Sequence, residues 1–500
     1  MLDLEFWRQS VTIQRNSFSE KVSTSPASVE VVKTASEKAG LAHWMRQVLE
    51  ECDRAAVNFA PDPVHDLRVA LRRCRSMADG WIAIDPSPAW KEMKKAGRKL
   101  FRALGELRDV QVMTEWVEKL AGADDAAGSA LAAYAGAREH DLKQNALAAL
   151  QAFDSKAWSR WSEVLPQRAA CVKLGSSIFL HMALERWIEA HRLRIGIKRL
   201  RYTVENFLPE LHYAWINDMK KIQDWLGEVH DLDVLWETAA AQQVFPDMEA
   251  RTRWQAKIEA ERTSRIEKYR AKMVGNNTLW QTWRAELPKG EGIPKAAIER
   301  LMLWASFCDP DFGHARRVAD HALRIYDGLA KNGAVLQQGH ESREVLQLAA
   351  MMHEVGRLKG GAKKHNRTGA RMIRKLPPPV GVDQDALSVA AIVARYHRGA
   401  FPQKKHGPFA RLSAAEQKKL LWLAGILRLA CALDGDHRGM VRQVSVGQEN
   451  GYIAIAAQGY SPLGPLGQRV AAARHLLEVA SGQAVMVRGT RTRRAYQPGK

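Results

Sequence analysis

A chain of 500 residues exceeds what one hydrophobic core usually serves, so at least two domains are expected. Its 75 Lys and Arg against 55 Asp and Glu leave a formal charge of +20, which favours an acidic partner: nucleic acid, an anionic surface or polyphosphate. No apolar run is long enough to span a bilayer, and the five scattered cysteines form no CxxC pair, which excludes membrane insertion and the thiolate zinc and redox motifs. MLDLEFWRQ carries no secretory leader, so the expected location is the cytoplasm, where polyphosphate granules would be a place of association.

Residues 1–34 are a mixed extension. From Ser36 to Asn58 the pattern is helical; Pro61 and Pro63 break it, and a long basic helix opens near Val64. An internal repeat follows. His65-Asp66-Leu67-Arg68 runs on to Arg75, and His191-Arg192-Leu193-Arg194 runs on to Arg201, both fitting H-x-L-R-x-x-x-[RK]-R-x-R. LGELRDV at 104–110 recurs as LGEVHDL at 226–232, in the same order and at nearly the same separation. Residues 35–285 therefore read as a tandem of helical half-domains, 35–165 and 166–285, each a basic helix, a proline-marked turn and a second helix ending in LGxxxD.

Positions i, i+3, i+7 and i+10 share one helix face. His65, Arg68, Arg72 and Arg75 have that spacing, as do His191, Arg194, Lys198 and Arg201, with Arg73 and Arg199 alongside. The helix read over Lys91 to Arg102 adds Lys91, Lys95, Arg98 and Arg102. Like charges on one face repel, so folding alone does not select them; a bound polyanion relieves the repulsion through charge-assisted hydrogen bonds to guanidinium groups. Asp109 and Asp231, closing the LGxxxD motifs, are expected to orient an arginine or cap a helix.

These motifs resemble the CHAD family (conserved histidine alpha-helical domain) over most of 35–285. The resemblance implies two symmetry-related four-helix bundles around a basic groove and binding of inorganic polyphosphate. His65 and His191 match the family histidines, and Arg68, Arg72, Arg75, Arg194, Lys198, Arg199 and Arg201 the basic positions after them.

The stretch 286–294, which holds LPKGEGIP at 287–294, has the punctuation of a linker. Helices resume beyond it, carrying His314, His353-Glu354, His365, His397 and, at the end of the last, Asp434. Histidines and carboxylates on several helices can converge on one or two divalent metals, which would activate water and neutralise a phosphoryl group. RQVSVGQENGYIAIAAQG then reads as two strands about an Asn-Gly turn, with a short helix near 467–479, so 441–500 is a small strand-bearing appendix.

The strings GHARRVADHALRIYDGL, LAAMMHEVGR, KHNRTGARMI, VARYHRG and LRLACALD resemble the HD superfamily, specifically the C-terminal domain of Ppx/GppA phosphatases, over about 295–440. The resemblance implies His314, His353, Glu354, His365, His397 and Asp434 as ligands of Mn, Fe or Mg, with His353 and Glu354 catalytic. Two positions depart from it: Glu354 replaces the HD aspartate, and Cys431 stands where relatives often have an acid. No Gly-rich phosphate loop is present.

The expected fold is mainly α, tandem half-domains followed by an all-helical domain and the appendix. Three functions follow: polyphosphate binding with a regulatory or scaffolding second domain; a metal-dependent phosphohydrolase acting on polyphosphate or a phosphorylated nucleotide; and nucleic-acid binding, disfavoured because no RNP, KH or zinc-finger motif is present.

Overall fold

The computed structural model describes residues 40–190, 194–333, 340–449 and 451–490. Within them the protein is mainly α, with nineteen helices and one three-stranded sheet. The chain divides at Gly290/Glu291 into two compact units. Part of the stretch read as a linker is already helical, since Gly292 begins the first helix of the second unit.

The first unit contains α1 (Leu41–Ala56), α2 (Pro61–Ile82), α3 (Pro88–Ala96), α4 (Arg98–Leu120), α5 (Ala126–Gln151), α6 (Ser155–Ala169), α7 (Ser177–Ala190), α8 (Arg194–Phe207), α9 (Pro209–Ala241), α10 (Met248–Met273) and α11 (Leu279–Ala285). Pro61 and Pro63 start α2 rather than merely ending α1, because the first turn needs no proline N–H. The helix read over Lys91 to Arg102 is two, α3 and α4, parted at Gly97. Both LGxxxD motifs lie inside helices, α4 and α9, not at their ends. The expected boundary at 165 falls inside α6, which continues through Pro166.

The halves are packed together by their repeated elements: α2 lies on α8 and α4 on α9. Met113, Trp116 and Val117 of α4 share a core with Leu131 of α5, Leu232 and Leu235 of α9 and Trp254 of α10. Trp81 of α2 stacks on Trp90 at 5.6 Å and meets Phe207 of α8 edge-on at 6.2 Å. Gly80 makes the second contact possible, since a Cβ there would sit 2.5 Å from the Phe207 ring. Ile197 and Leu200 of α8 are buried, whereas Ile195, read as a core residue, is 62% exposed.

The second unit comprises α12 (Gly292–Cys308), α13 (Phe312–Lys331), α14 (His340–Met352), α15 (Arg357–Ile373), α16 (Gln384–Arg395), α17 (Gly407–Ala410), α18 (Ala414–Leu433), β1 (Gln443–Glu449), β2 (Tyr452–Gln458), α19 (Pro465–Ser481) and β3 (Val485–Thr490). The two strands about the Asn-Gly turn pair antiparallel, Val446 opposite Ile455. β3, absent from the sequence reading, returns through α19 to lie parallel to β2, Ile453 opposite Val485. The appendix is not a separate body: Val444, Ile455, Leu477 and Val485 belong to the same core as Leu346, Val393 and Leu427.

Asp85 is 1% exposed and accepts from Arg168 Nε and Nη2, each at 2.6 Å, and from Trp90 Nε1 at 2.7 Å. Arg168→Met would leave that carboxylate buried without its cation. The expected cost to the first unit is about 3 kcal/mol, read by chemical denaturation.

Candidate functional site

The basic stripe of α2 and its repeat on α8 are brought together by the α2–α8 contact. Two aromatic rings each carry two guanidinium groups. Arg68 lies 5.3 Å and Arg75 5.2 Å from the Phe101 ring centre; Arg72 lies 5.7 Å and Arg201 5.0 Å from that of Tyr202. Arg75 also donates to the Lys94 carbonyl at 3.1 Å. The Arg68 Nη1 atom rests against Gly105, where a Cβ would come within 2.8 Å. The glycine of LGELRD thus makes room for the arginine of H-x-L-R, a physical link between the two repeated motifs.

Burial pulls Arg68, Arg72 and Arg75 below the ordinary arginine value. Like-charged neighbours add to it: Arg72 and Arg108 act on Arg68, Arg201 and Arg73 on Arg72, and Arg98 on Arg75. His65 is also pulled down, by partial desolvation and then by Arg108 and Arg72. Asp109 is the main acidic charge acting on Arg68. Buried Arg68 Nη1, Arg72 Nε and Arg201 Nε meet no hydrogen-bond acceptor among the described residues. Desolvated cations held against two aromatic rings and short of acceptors are an arrangement that a multivalent oxyanion can satisfy.

Among the other expected residues, Arg73 pairs with Glu205 and covers the Trp44 ring at 4.2 Å, so it joins α2 to α8. Arg199 is exposed, 3.7 Å from Glu189, and Lys198 is half-buried. Lys91 and Lys95 on α3, and Arg98 and Arg102 on α4, are exposed; Asp109 is exposed and Asp231 half-buried. His191 and the Arg194 side chain lie outside the described residues. The sequence reading missed Phe101 and Tyr202, although each sits beside a stripe arginine in the chain.

In the second unit, residues expected as metal ligands come together with no more than 4% exposure each. His314 Nε2 and His353 Nε2 are 3.3 Å apart, with Cys431 Sγ 3.9 Å from His314. His365 Nε2 and His397 Nε2 are 3.2 Å apart, and Glu354 Oε1 lies 3.1 and 3.5 Å from them. Two nitrogens on one tetrahedral ion are separated by about 3.3 Å, given metal–nitrogen distances of 2.0–2.1 Å. The donor sets His314/His353/Cys431 and His353/Glu354/His397 therefore fit a metal ion. Backbone carbonyls fix the rings, His353 Nδ1 on Ala350 at 2.6 Å and His397 Nδ1 on Ala394 at 2.7 Å, turning each Nε2 inward.

Asp434 stands one step behind the donors. Its Oδ2 meets His314 Nδ1 at 2.7 Å and Arg317 Nε at 2.9 Å, and its Oδ1 accepts from Gly439 N. It orients His314, whereas the Cys431 thiol stands among the donors themselves. Burial pushes that thiol up to about 12. Burial, then His397, holds His353 well below the ordinary imidazole value, leaving its Nε2 lone pair free. Burial alone would raise Glu354, but hydrogen bonds from His365 and His397 outweigh it and keep it ionised. Asp309, also unforeseen, is 3% exposed and raised to about 7 by burial, with Glu354 adding to the shift.

A turn with no room for side chains sets this geometry. A Cβ on Gly356 would lie 2.1 Å from the His365 carbonyl oxygen and 2.4 Å from Gly369 N, so the backbone after Glu354 rests directly on α15.

Residues 39–240 match the family model of the CHAD domain, and residues 295–452 that of the Ppx/GppA phosphatase, domain III. The chain thus joins a CHAD domain to a Ppx/GppA-type domain. No curated protein matches it. Because the Gly356 contacts are with backbone, Gly356→Ala is expected to destabilise the second unit by about 3 kcal/mol or more. Calorimetry should show that unit's transition lowered and the first unit's transition unmoved.

Proposed function

We propose that the first unit binds inorganic polyphosphate in the groove between α2 and α8, and that the second unit holds a divalent metal in its histidine cluster. The observation that carries the first reading is the set of buried guanidinium donors on Arg68, Arg72 and Arg201 that meet no acceptor. A chain of repeating phosphates offers oxygens to the accessible N–H groups of the same guanidiniums and removes the repulsion between them. Both matched families support a polyphosphate-related role in phosphate metabolism.

Affinity should fall with salt as counterions are released. With Arg68, Arg72, Arg75 and Arg201 engaged, a log–log slope of about −3 is expected, and Arg72→Gln should flatten it by about 0.7 while weakening binding about tenfold. Gly105→Ala separates site from scaffold. Alanine favours the helix by about 1 kcal/mol, so melting is held or raised, while the new methyl group displaces Arg68 and lowers affinity. Unchanged affinity in both variants would sink the groove assignment.

The nitrogen–nitrogen and nitrogen–oxygen spacings around Glu354 favour the second reading. His314, His353 and Cys431 would form one donor set, and His353, Glu354 and His397 the other, with His365 beside the second. A bound ion supplies Lewis acidity and an activated water. His353 and Glu354 would hold the ion, and Asp309, raised by burial and by Glu354, could hold a proton. Anaerobic loading with Co(II) should give a thiolate charge-transfer band that Cys431→Ser removes. A gel resolving polyphosphate by length, run with and without Mn(II), then tells retention of intact chains from shortening.

A further inference from the structure

On the surface of the second unit, two adjoining open cavities of about 370 and 380 Å³ lie along α15 and the end of α16. Lys364, Arg367, Arg371 and Arg374 line the first cavity, following the spacing i, i+3, i+7, i+10. That is the spacing of the α2 stripe, on a helix unrelated to it by the repeat. Arg395 lines both cavities and Arg398 the second. No aspartate or glutamate lines either cavity. Among the described residues, no carboxylate pairs with Lys364, Arg367, Arg371, Arg374 or Arg395, whereas elsewhere in this unit Arg317 finds Asp434, Arg343 finds Asp327 and Arg357 finds Glu354.

We infer that this cleft is a second anion site, for a linear oligophosphate, carried by the Ppx/GppA-type unit independently of the groove on α2 and α8. The stripe spans about 15 Å at 1.5 Å per residue, a length to be followed by several phosphates in a row rather than one. Guanidinium groups at such spacing bind phosphoryl oxygens in pairs. A nucleic acid is less well served, because of the two aromatic rings in the lining Tyr396 is 3% exposed and stacks on His406, which leaves at most one imidazole face for bases. The cleft holds its ligand rather than transforming it: His365 on the same helix is fully buried on the opposite side, away from the stripe.

The test uses the full chain and tripolyphosphate as the probe, with acetylation of Lys363 and Lys364 read by mass spectrometry. Near saturation, labelling of both lysines is expected to fall about fivefold. The fall should persist in Arg68→Gln/Arg72→Gln/Arg201→Gln, which disables the first unit's groove, and disappear in Arg367→Gln/Arg371→Gln. Unchanged labelling under saturating tripolyphosphate overturns the inference, as does protection that vanishes with the groove variant. Stronger protection by a single-stranded oligonucleotide than by tripolyphosphate also overturns it, in favour of nucleic acid. Failure of the groove reading looks different: long-chain polyphosphate then binds the groove variant and the parent alike, with lysine protection intact.

Discussion

Four guanidinium groups gathered on two aromatic rings, with little carboxylate charge to match them, form the constraint on which the first unit depends. A buried donor without an acceptor costs about 1–3 kcal/mol, and neighbouring like charges add to that. Folding proceeds because apolar contacts offset the cost: Trp81 against Trp90 and Phe207 next to the stripes, and the shared core of α4, α5, α9 and α10 beyond. The cations are therefore fixed in place before any ligand arrives. Such preorganisation would remove part of the ordering penalty from the proposed binding, because guanidinium groups already held against rings lose little further freedom on meeting an oxyanion.

The internal repeat explains why the stripes converge. Each repeated helix packs on its own copy, α2 on α8 and α4 on α9, so a basic face duplicated in sequence is returned to one place in space. Self-complementary packing of this kind places any residue of one half beside the equivalent region of the other. Across α2 and α8 this brings Arg72 to Arg201, cation to cation. Arg73 instead meets Glu205, and Lys119 of α4 meets Glu261 of α10, so ion pairs tie the halves beside the like-charged arginines.

The stripes were legible in the sequence because their spacing is a property of a single helix. Their facing one another was not, since that depends on tertiary packing by Gly80 and Phe207. Phe101, Tyr202 and Gly105 escaped notice for the same reason: a ring or a missing side chain acquires its role only when a guanidinium group from elsewhere arrives. In the second unit the antiparallel strands showed in their Asn-Gly turn, a local signal. β3 left none, because its pairing with β2 is made across α19. The histidines were readable as a set, but the exchange of roles between Cys431 and Asp434 was not. Both lie at the end of α18, one turn apart, and both meet His314; Arg317 and Gly439 hold Asp434 on its Nδ1 side while Cys431 meets Nε2.

Glu354 shows what one methylene can change. A shorter aspartate after His353 would hold its carboxylate close to that histidine, between the two halves of the cluster. The longer arm carries Oε1 across to His365 and His397, leaving it 3.9 Å from His353, while Oε2 is met by Arg357 at 2.7 Å. The carboxylate thus belongs to the α15–α16 side of the cluster, and the His314 side draws on Cys431 for its third donor. A hard oxygen donor on one side and a soft sulfur on the other would give the two positions different metal preferences. The carboxylate at 354 and the thiol at 431 thus stand on opposite sides of one histidine cluster.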